Sequence, residues 1–279
     1  MKTALVTGGA GFVGRYLIPK LQQQGYVVTC VDPLYLQWPS RFEELEWGDE
    51  PFDVVVHLAA NIPDVSERFA LPISSYQDIA LDLKMTEYLL AHPPKECVVW
   101  PSSCAIDNPK DPYAWVKLTA EKFCAALHKA GVPVVILRPF SGYGWGQALS
   151  YPFPAIFDRA MRHEDPLTVW GSGYQIRDWI HVRDLVAAFI WAIHFGPRGL
   201  PIEVGTGSGT SLRNLAEAIA TEVGYHPVFI QGDESKPASS DTRIANVQPV
   251  YNLGFRAVVN LEEGIHEYHQ RAKEKHGSR

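Results

Sequence analysis

Residues Thr7 to Gly14, Thr-Gly-Gly-Ala-Gly-Phe-Val-Gly, stand between the apolar run Ala4-Leu5-Val6 and the periodic set Tyr16, Leu17, Ile18 and Leu21. That order predicts a buried strand, a glycine-rich turn and a helix. Two overlapping patterns, Gly9-x-Gly11-x-x-Gly14 and the wider Gly8-x-x-Gly11-x-x-Gly14, are met at once. Each glycine grants the turn a dihedral or a close approach that a Cβ would forbid. A helix starting behind such a turn presents N–H groups and a positive dipole end to an anion. A tight strand-to-helix corner favours glycine with or without a ligand, so the meaning of the stretch depends on the rest of the chain.

With 279 residues and 46% hydrophobic content, the chain suits one large α/β domain or two intimately joined ones. A formal net charge of −6, with basic residues scattered rather than bunched, argues against nucleic-acid or membrane-surface partners and for a small-molecule one. The first apolar segment stops at Val6 and no run approaches a membrane span, so a cytoplasmic protein is expected. Cysteines 30, 97, 104 and 124 have no metal-ligand or disulfide spacing, and the ten histidines are dispersed. Neither a disulfide nor a metal site is expected.

Tyr26 to Val31 reads as a second buried strand, ending in Asp32, 18 residues beyond Gly14. A carboxylate there would accept hydrogen bonds from the adenosine ribose of a dinucleotide and repel a 2′-phosphate, which favours NAD over NADP. The competing reading is a turn aspartate before Pro33. Leu34 to Pro51 is irregular and tryptophan-rich, predicting a shortened crossover. Asp53 to Ala60 is the next buried strand, and the small residues Ala59 and Ala60 after Leu58 would let a dinucleotide lie against the backbone.

Helical periodicity over Ser74 to Ala91 precedes a strand at Cys97 to Trp100 that ends in Pro101-Ser102-Ser103. Hydroxyls at the carboxyl edge of a parallel strand lie where open α/β sheets bind ligands. Tyr113 and Lys117, four apart at the start of a helix running to about Lys129, face the same way. A cation one turn away can lower a phenol's pKa enough to make it a useful base. Taken alone, the pair also suits a solvated helix face.

Together these residues resemble the extended short-chain dehydrogenase/reductase superfamily, in its NAD-dependent nucleotide-sugar epimerase/dehydratase branch, with UDP-glucose 4-epimerase-like character. The marks are Thr7 to Gly14, Asp32, His57-Leu58-Ala59-Ala60, Ser103, Tyr113-x-x-x-Lys117, Leu137-Arg138-Pro139-Phe140, Val169-Trp170-Gly171-x-Gly173, Arg177 to Val182, and Leu261 to Ile265. The resemblance implies a Rossmann-like doubly wound parallel sheet and a smaller C-terminal substrate-binding lobe. Residues 1–150, with 181–207 returning to them, would form the NAD-binding domain, and 151–180 with 208–279 the lobe.

By the same resemblance Tyr113 is the base, Lys117 holds the nicotinamide ribose and depresses the tyrosine pKa, and Ser103 binds the reacting sugar oxygen, with Ser102 as competitor. Gly8, Gly11, Phe12, Val13, Gly14, Asp32, Leu58, Ala59, Ala60, Asp82 and Phe140 would join Tyr113 and Lys117 around NAD. Ser141, Trp170, Arg177 and Arg243 would join Ser103 around a UDP- or dTDP-hexose. For Arg177 the plain alternative is an ion pair with Asp178 or Asp184; for Trp170 it is core packing. Two positions depart from the family pattern: Asp82 and Ser141 stand where asparagine is usual.

The residues after Ser103 are Cys104 and Ala105, whereas sugar 4,6-dehydratases of the family carry an acidic pair there. The expected reaction is therefore 4-epimerisation through transient oxidation at C4. The alternatives are a reductase, a 3,5-type epimerase using Cys104, and an NAD-binding sensor, the last suggested by an interval from Ser103 to Tyr113 shorter than the family habit. Relatives pair the helices equivalent to Ser74–Ala91 and Tyr113–Lys129 across a homodimer interface, so a homodimer is expected.

Overall fold

A computed structural model describes residues 1–32, 50–60, 73–107, 111–235 and 242–277. Strand β1 (Lys2–Thr7) leads through the glycine turn into helix α1 (Gly14–Gln23), and β2 (Tyr26–Val31) follows. Next come β3 (Val54–His57), α2 (Ile73–Ala91), β4 (Cys97–Pro101), a short 3-10 turn at Cys104–Asp107, α3 (Pro112–Lys129) and β5 (Val134–Pro139). Much of the irregular Leu34 to Pro51 stretch lies outside the described residues.

The second half contains β6 (Ser141–Tyr143), α4 (Pro152–Met161), β7 (Leu167–Trp170), β8 (Ile176–Arg177), β9 (Trp179–His181), α5 (Val182–Phe195) and β10 (Pro201–Val204). It closes with β11 (Thr210–Ser211), α6 (Leu212–Val223), β12 (Ile230–Asp233), α7 (Gln248–Asn252) and α8 (Leu261–Gly277). Among the described residues no helix is long and apolar enough to cross a membrane.

Six strands form one sheet in the order β2-β1-β3-β4-β5-β10, and every neighbouring pair is parallel. This is the Rossmann-like sheet expected from the sequence. Near-continuous apolar strands suit a sheet buried on both faces. Alternation divides β1 between them. Ala4 and Val6 pack with Leu17 and Leu21 of α1 and with α5, while Leu5 packs with Met85 and Leu89 of α2 and with Ala120 and Cys124 of α3. A separate apolar cluster joins Phe153 and Phe157 of α4, Val169, Trp179, Leu215 and Ile219 of α6, and Ile265 of α8.

The strand order reverses between β1 and β3, and ligands of open α/β sheets collect at the carboxyl ends beside such a switch. Register makes that edge even. Thr7 pairs with Val31 on one side and with His57 on the other, so Gly8, Asp32 and Leu58 each follow the last strand residue of their own chain segment.

Candidate active site

Gly8 has a φ of +69°, and a Cβ on it would lie 2.6 Å from the Ala59 nitrogen. The first turn glycine therefore lies directly against the backbone that follows β3. A Cβ on Gly9 would meet the Cys30 sulfur at 2.4 Å, and one on Gly14 would strike the Gly9 backbone at 2.5 Å. Turn, helix and neighbouring strand approach as closely as they do because these side chains are missing. Helix α1 has no side-chain cap at Val13. Among the described residues the N–H groups of Phe12 and Val13 have no backbone acceptor, and they stand at the end of the helix where an anion is favoured.

Asp32 is buried, with Oδ2 accepting from the Ala10 N–H at 2.9 Å. The carboxylate is thus fixed against the same turn. Gly11 donates its N–H to the Gly8 carbonyl at 3.0 Å, closing the loop. A cradle that any Cβ would fill, with a fixed carboxylate at its side, fits the pyrophosphate and ribose of NAD.

Under this cradle runs a hydrogen-bond chain that sequence reading did not find. The Ala59 N–H donates to Thr7 Oγ1 at 3.3 Å, Thr7 Oγ1 lies 2.7 Å from His57 Nδ1, and His57 Nε2 lies 3.1 Å from Asp82 Oδ1. All three side chains are buried, and Thr86 Oγ1 donates to the Asp82 carbonyl at 2.7 Å. The Asp82 carboxylate is thereby directed at His57. The signal available in the sequence was the coincidence of a histidine ending β3 with an aspartate where asparagine is usual.

The two serines after β4 face different partners. Ser102 is buried, its N–H donates to the Leu137 carbonyl, and its Oγ donates to Glu121 Oε1 at 2.6 Å. Glu121 also takes a two-pronged ion pair from Arg138, with Nε and Nη2 each at 2.7 Å. Ser103 is half-buried, and its Oγ accepts the Ala105 N–H at 3.1 Å.

Helix α3 starts on Asp111, whose Oδ1 accepts the Tyr113 N–H at 3.0 Å, with Pro112 in the first turn. Capping by Asp111 fixes the entry point of Tyr113. Lys117, one turn on, is buried; its Nζ lies 5.8 Å from the centre of the Tyr113 ring and donates to the Pro101 carbonyl at 3.4 Å. Pro101 ends the strand from which Ser102 and Ser103 lead, so the lysine joins the start of α3 to that strand end. Phe140 links β5 to β6, its N–H donating to the Val204 carbonyl, and the Ser141 N–H donates to the Asp178 carbonyl.

Cys104 lies within reach of two arginines, Arg177 and Arg243. The guanidinium groups of Arg243 and Arg177 both act on its thiol electrostatically. Burial pushes its pKa up, and the two guanidinium groups oppose that shift. Arg177 and Arg243 face one another in an isolated bridge, their segments tied by Asp178 N–H to the Arg243 carbonyl and Arg243 N–H to the Ile176 carbonyl.

The aspartates that offered Arg177 a plain partner are turned to backbone. The Asp178 carboxylate accepts from the N–H groups of Thr206, Gly207 and Ala245 and from the Thr206 hydroxyl. Asp184 Oδ2 accepts from Val258 and Val259. Trp170 ends β7, half-buried, its carbonyl accepting from Gln175 Nε2. Helix α1 is tied to the segment after β6, because Tyr16 Oη donates to the Trp145 carbonyl at 2.9 Å.

Fold and glycine turn define a dinucleotide-binding α/β enzyme. Residues 4–205 match the model of the NAD dependent epimerase/dehydratase family, and the chain belongs to that family. A UDP-glucose 4-epimerase of Rhizobium leguminosarum bv. trifolii is 26% identical over 95% of this chain and 95% of its own. GDP-L-fucose synthase of Escherichia coli is also 26% identical, over 95% and 94%. Among solved structures, MoeE5 in complex with UDP-glucose and NAD superposes with a TM-score of 0.86 at 26% identity, covering 98% of this chain and 99% of the other. NAD is the cofactor.

Proposed function

We propose that the protein is a nucleotide-sugar 4-epimerase. The observation that carries this reading is the pairing of a Ser103, Tyr113 and Lys117 centre with Cys104, rather than a carboxylate, after the serine. Loss of water or of a carboxylate from the oxidised sugar needs further acid/base groups, whereas inversion at C4 needs only the hydroxyl, the phenol and the lysine. The UDP-glucose 4-epimerase among the relatives supports the same reading.

In this account Gly8, Gly11, Phe12, Val13 and Gly14 receive the pyrophosphate and Asp32 the adenosine ribose. Leu58, Ala59 and Ala60 form the floor beside Gly8, which Asp82 supports through His57. Lys117 holds the nicotinamide ribose, and Phe140 packs by the ring. NAD supplies a hydride acceptor and, once reduced, a hydride donor. Arg177 and Arg243 clamp the diphosphate with guanidinium forks. Ser141 and Trp170 complete the nucleotide side.

Tyr113 removes the C4 hydroxyl proton as the C4 hydrogen leaves with its electron pair. Ser103 donates to the oxygen that becomes the ketone. The 4-keto sugar turns within the cleft, the hydrogen returns to the other face, and Tyr113 gives the proton back. The apolar cluster of α4, α6 and α8 forms the core of the substrate lobe over 151–180 and 208–279. Leu83, Leu90, Trp115 and Leu118 are exposed on α2 and α3 and suit a homodimer across those helices.

A panel of UDP- and dTDP-hexoses followed by NMR tests the assignment: interconversion of C4 epimers supports it, and stoichiometric consumption of added NADH overturns it in favour of a reductase. One observation favours a second reading. Cys104, next to Ser103 in the chain and in the field of Arg243 and Arg177, stands where an acid or base could act beside a 4-ketone, as in a 3,5-type epimerase.

A further inference from the structure

The hydrogen-bond chain from Asp82 to Ala59 has a direction. An ionised carboxylate only accepts, so Asp82 Oδ1, 3.1 Å from His57 Nε2, requires the proton on that nitrogen. The other end gives the same answer. Thr7 is fully buried, and among the described residues its hydroxyl has no acceptor besides His57 Nδ1, at 2.7 Å. A proton on Nδ1 would make Thr7 Oγ1 accept twice, from the ring and from the Ala59 N–H, and would leave the hydroxyl hydrogen buried without a partner. His57 is therefore a neutral imidazole that donates from Nε2 and accepts at Nδ1.

The surroundings hold that order. The Trp100 ring packs edge-on against the imidazole, with centroids 4.5 Å apart, and Thr7, His57 and Asp82 are all buried. Thr86, one turn further along α2, donates its hydroxyl to the Asp82 carbonyl. With water excluded, the donors cannot reverse without leaving a buried polar group unpaired.

The last link reaches the cofactor. With its hydrogen committed to Nδ1, Thr7 Oγ1 keeps its lone pairs for the Ala59 N–H, which donates at 3.3 Å. The Leu58 N–H donates to the Thr7 carbonyl at 3.0 Å, so a single residue of β1 holds both N–H groups that follow β3. The Ala59 nitrogen is also what a Cβ on Gly8 would strike at 2.6 Å. The gap between the glycine turn and this backbone is thus set on one side by a missing Cβ and on the other by Thr7.

We infer that Asp82 is a positioning residue for NAD: it locks His57 in the tautomer that lets Thr7 hold Ala59, and so fixes the floor on which the dinucleotide lies. Asparagine, usual at this position, can turn either an oxygen or an N–H₂ toward Nε2; the carboxylate removes that choice. The inference rests on the placement of NAD over Gly8 and Ala59, and is independent of the reaction at the sugar.

The test reads the ring and the cofactor separately. In ¹⁵N-histidine spectra of the NAD-loaded protein, with His57 assigned by its loss in His57→Gln, Nε2 should be protonated and Nδ1 bare. Thr7→Val and Asp82→Leu, both close in size to the parent residues, should each release NAD about tenfold faster, measured by exchange against labelled NAD. The double variant should be no faster than either single one, because both cut the same chain. Asp82→Asn, which keeps an oxygen for Nε2, should return the tautomer and bring release within a few-fold of the parent. Circular dichroism establishes that the variants fold; if Asp82→Leu does not, the parent spectrum and Thr7→Val decide. A proton on Nδ1 or on both nitrogens, additive effects in the double variant, or unchanged release from folded Thr7→Val would each overturn the inference. Retention of NAD by Gly8→Ala, with the tautomer as expected, would overturn it through the placement of the cofactor rather than through the chain.

Discussion

Ser102 Oγ and Glu121 Oε1 lie 2.6 Å apart, and this hydrogen bond ties the first of two adjacent serines to a buried ion pair. Glu121 is simultaneously held by both prongs of Arg138. Removal of Ser102 therefore unsettles a buried charge, while removal of Ser103 leaves that pair intact. Ser102→Ala is expected to cost about 2 kcal/mol of stability, the value of a hydrogen bond to a charged group, with turnover within a few-fold of the parent. Ser103→Ala should keep the melting temperature and lower kcat by about 100-fold or more. Thermal melts and steady-state kinetics on the two variants separate the roles; the reverse pattern would assign the reaction to Ser102.

The glycine turn allows a comparison between two left-handed positions. Gly8 has φ +69° with backbone atoms closer than 3 Å to its missing Cβ, whereas Gly25 has φ +86° with nothing within 4 Å. Both alanine variants meet the dihedral penalty of about 1 kcal/mol. Only Gly8→Ala must also push Ala59 away, so it should lose bound NAD on purification while Gly25→Ala retains it. Absorbance of released dinucleotide after denaturation decides this. Equal retention would place the cofactor elsewhere than on this turn.

Much of this was legible in the sequence because it is local. Strand, turn and helix at residues 2–23, and the Tyr113 to Lys117 spacing, depend on neighbours within a few positions. The Ser102 and Ser103 alternatives were not separable, because their difference lies in Glu121 and Arg138, which reach the serines only through folding of α3 and β5. The chain from Ala59 through Thr7 and His57 to Asp82 likewise spans three elements. Nothing periodic signals that Asp178 holds Thr206 and Ala245, yet that carboxylate arranges the segments carrying Arg177 and Arg243.

His181 predicts a dependence on pH. It caps α5 with Nδ1 accepting the Arg183 N–H at 3.4 Å. Burial lowers its pKa, opposed in part by Glu267 at 4.0 Å and by Asp184 and Glu263, with Arg183 adding to the lowering. The folded state thus resists a proton that the unfolded chain accepts at about 6.5. Below that pH the unfolded state binds more protons, so stability falls as the solution is acidified, until the folded histidine titrates too. Urea melts between pH 7 and 5 should show this slope in the parent, and His181→Asn, which keeps a capping acceptor, should flatten it. A slope unchanged in the variant would assign the dependence to other groups.

Cys104 divides the two epimerase readings. Burial holds its thiol above the ordinary cysteine range against the pull of Arg243 and Arg177, so alkylation by iodoacetamide should be slow at neutral pH and quicken only in alkali. Cys104→Ser is expected to leave kcat within about threefold of the parent. A loss of about 100-fold, with NAD still bound, would make the thiol an acid or base in the reaction.

The central claim concerns which carbon inverts and how. A UDP-hexose incubated in deuterated water with the NAD-loaded enzyme should give its C4 epimer with the original hydrogen retained at C4 and no deuterium on the ring, because the hydrogen leaves and returns without meeting solvent. Proton NMR of the product reads this directly. Deuterium appearing at C3 or C5, or inversion at either carbon, would contradict 4-epimerisation and place enolisation next to a ketone at the centre of the reaction.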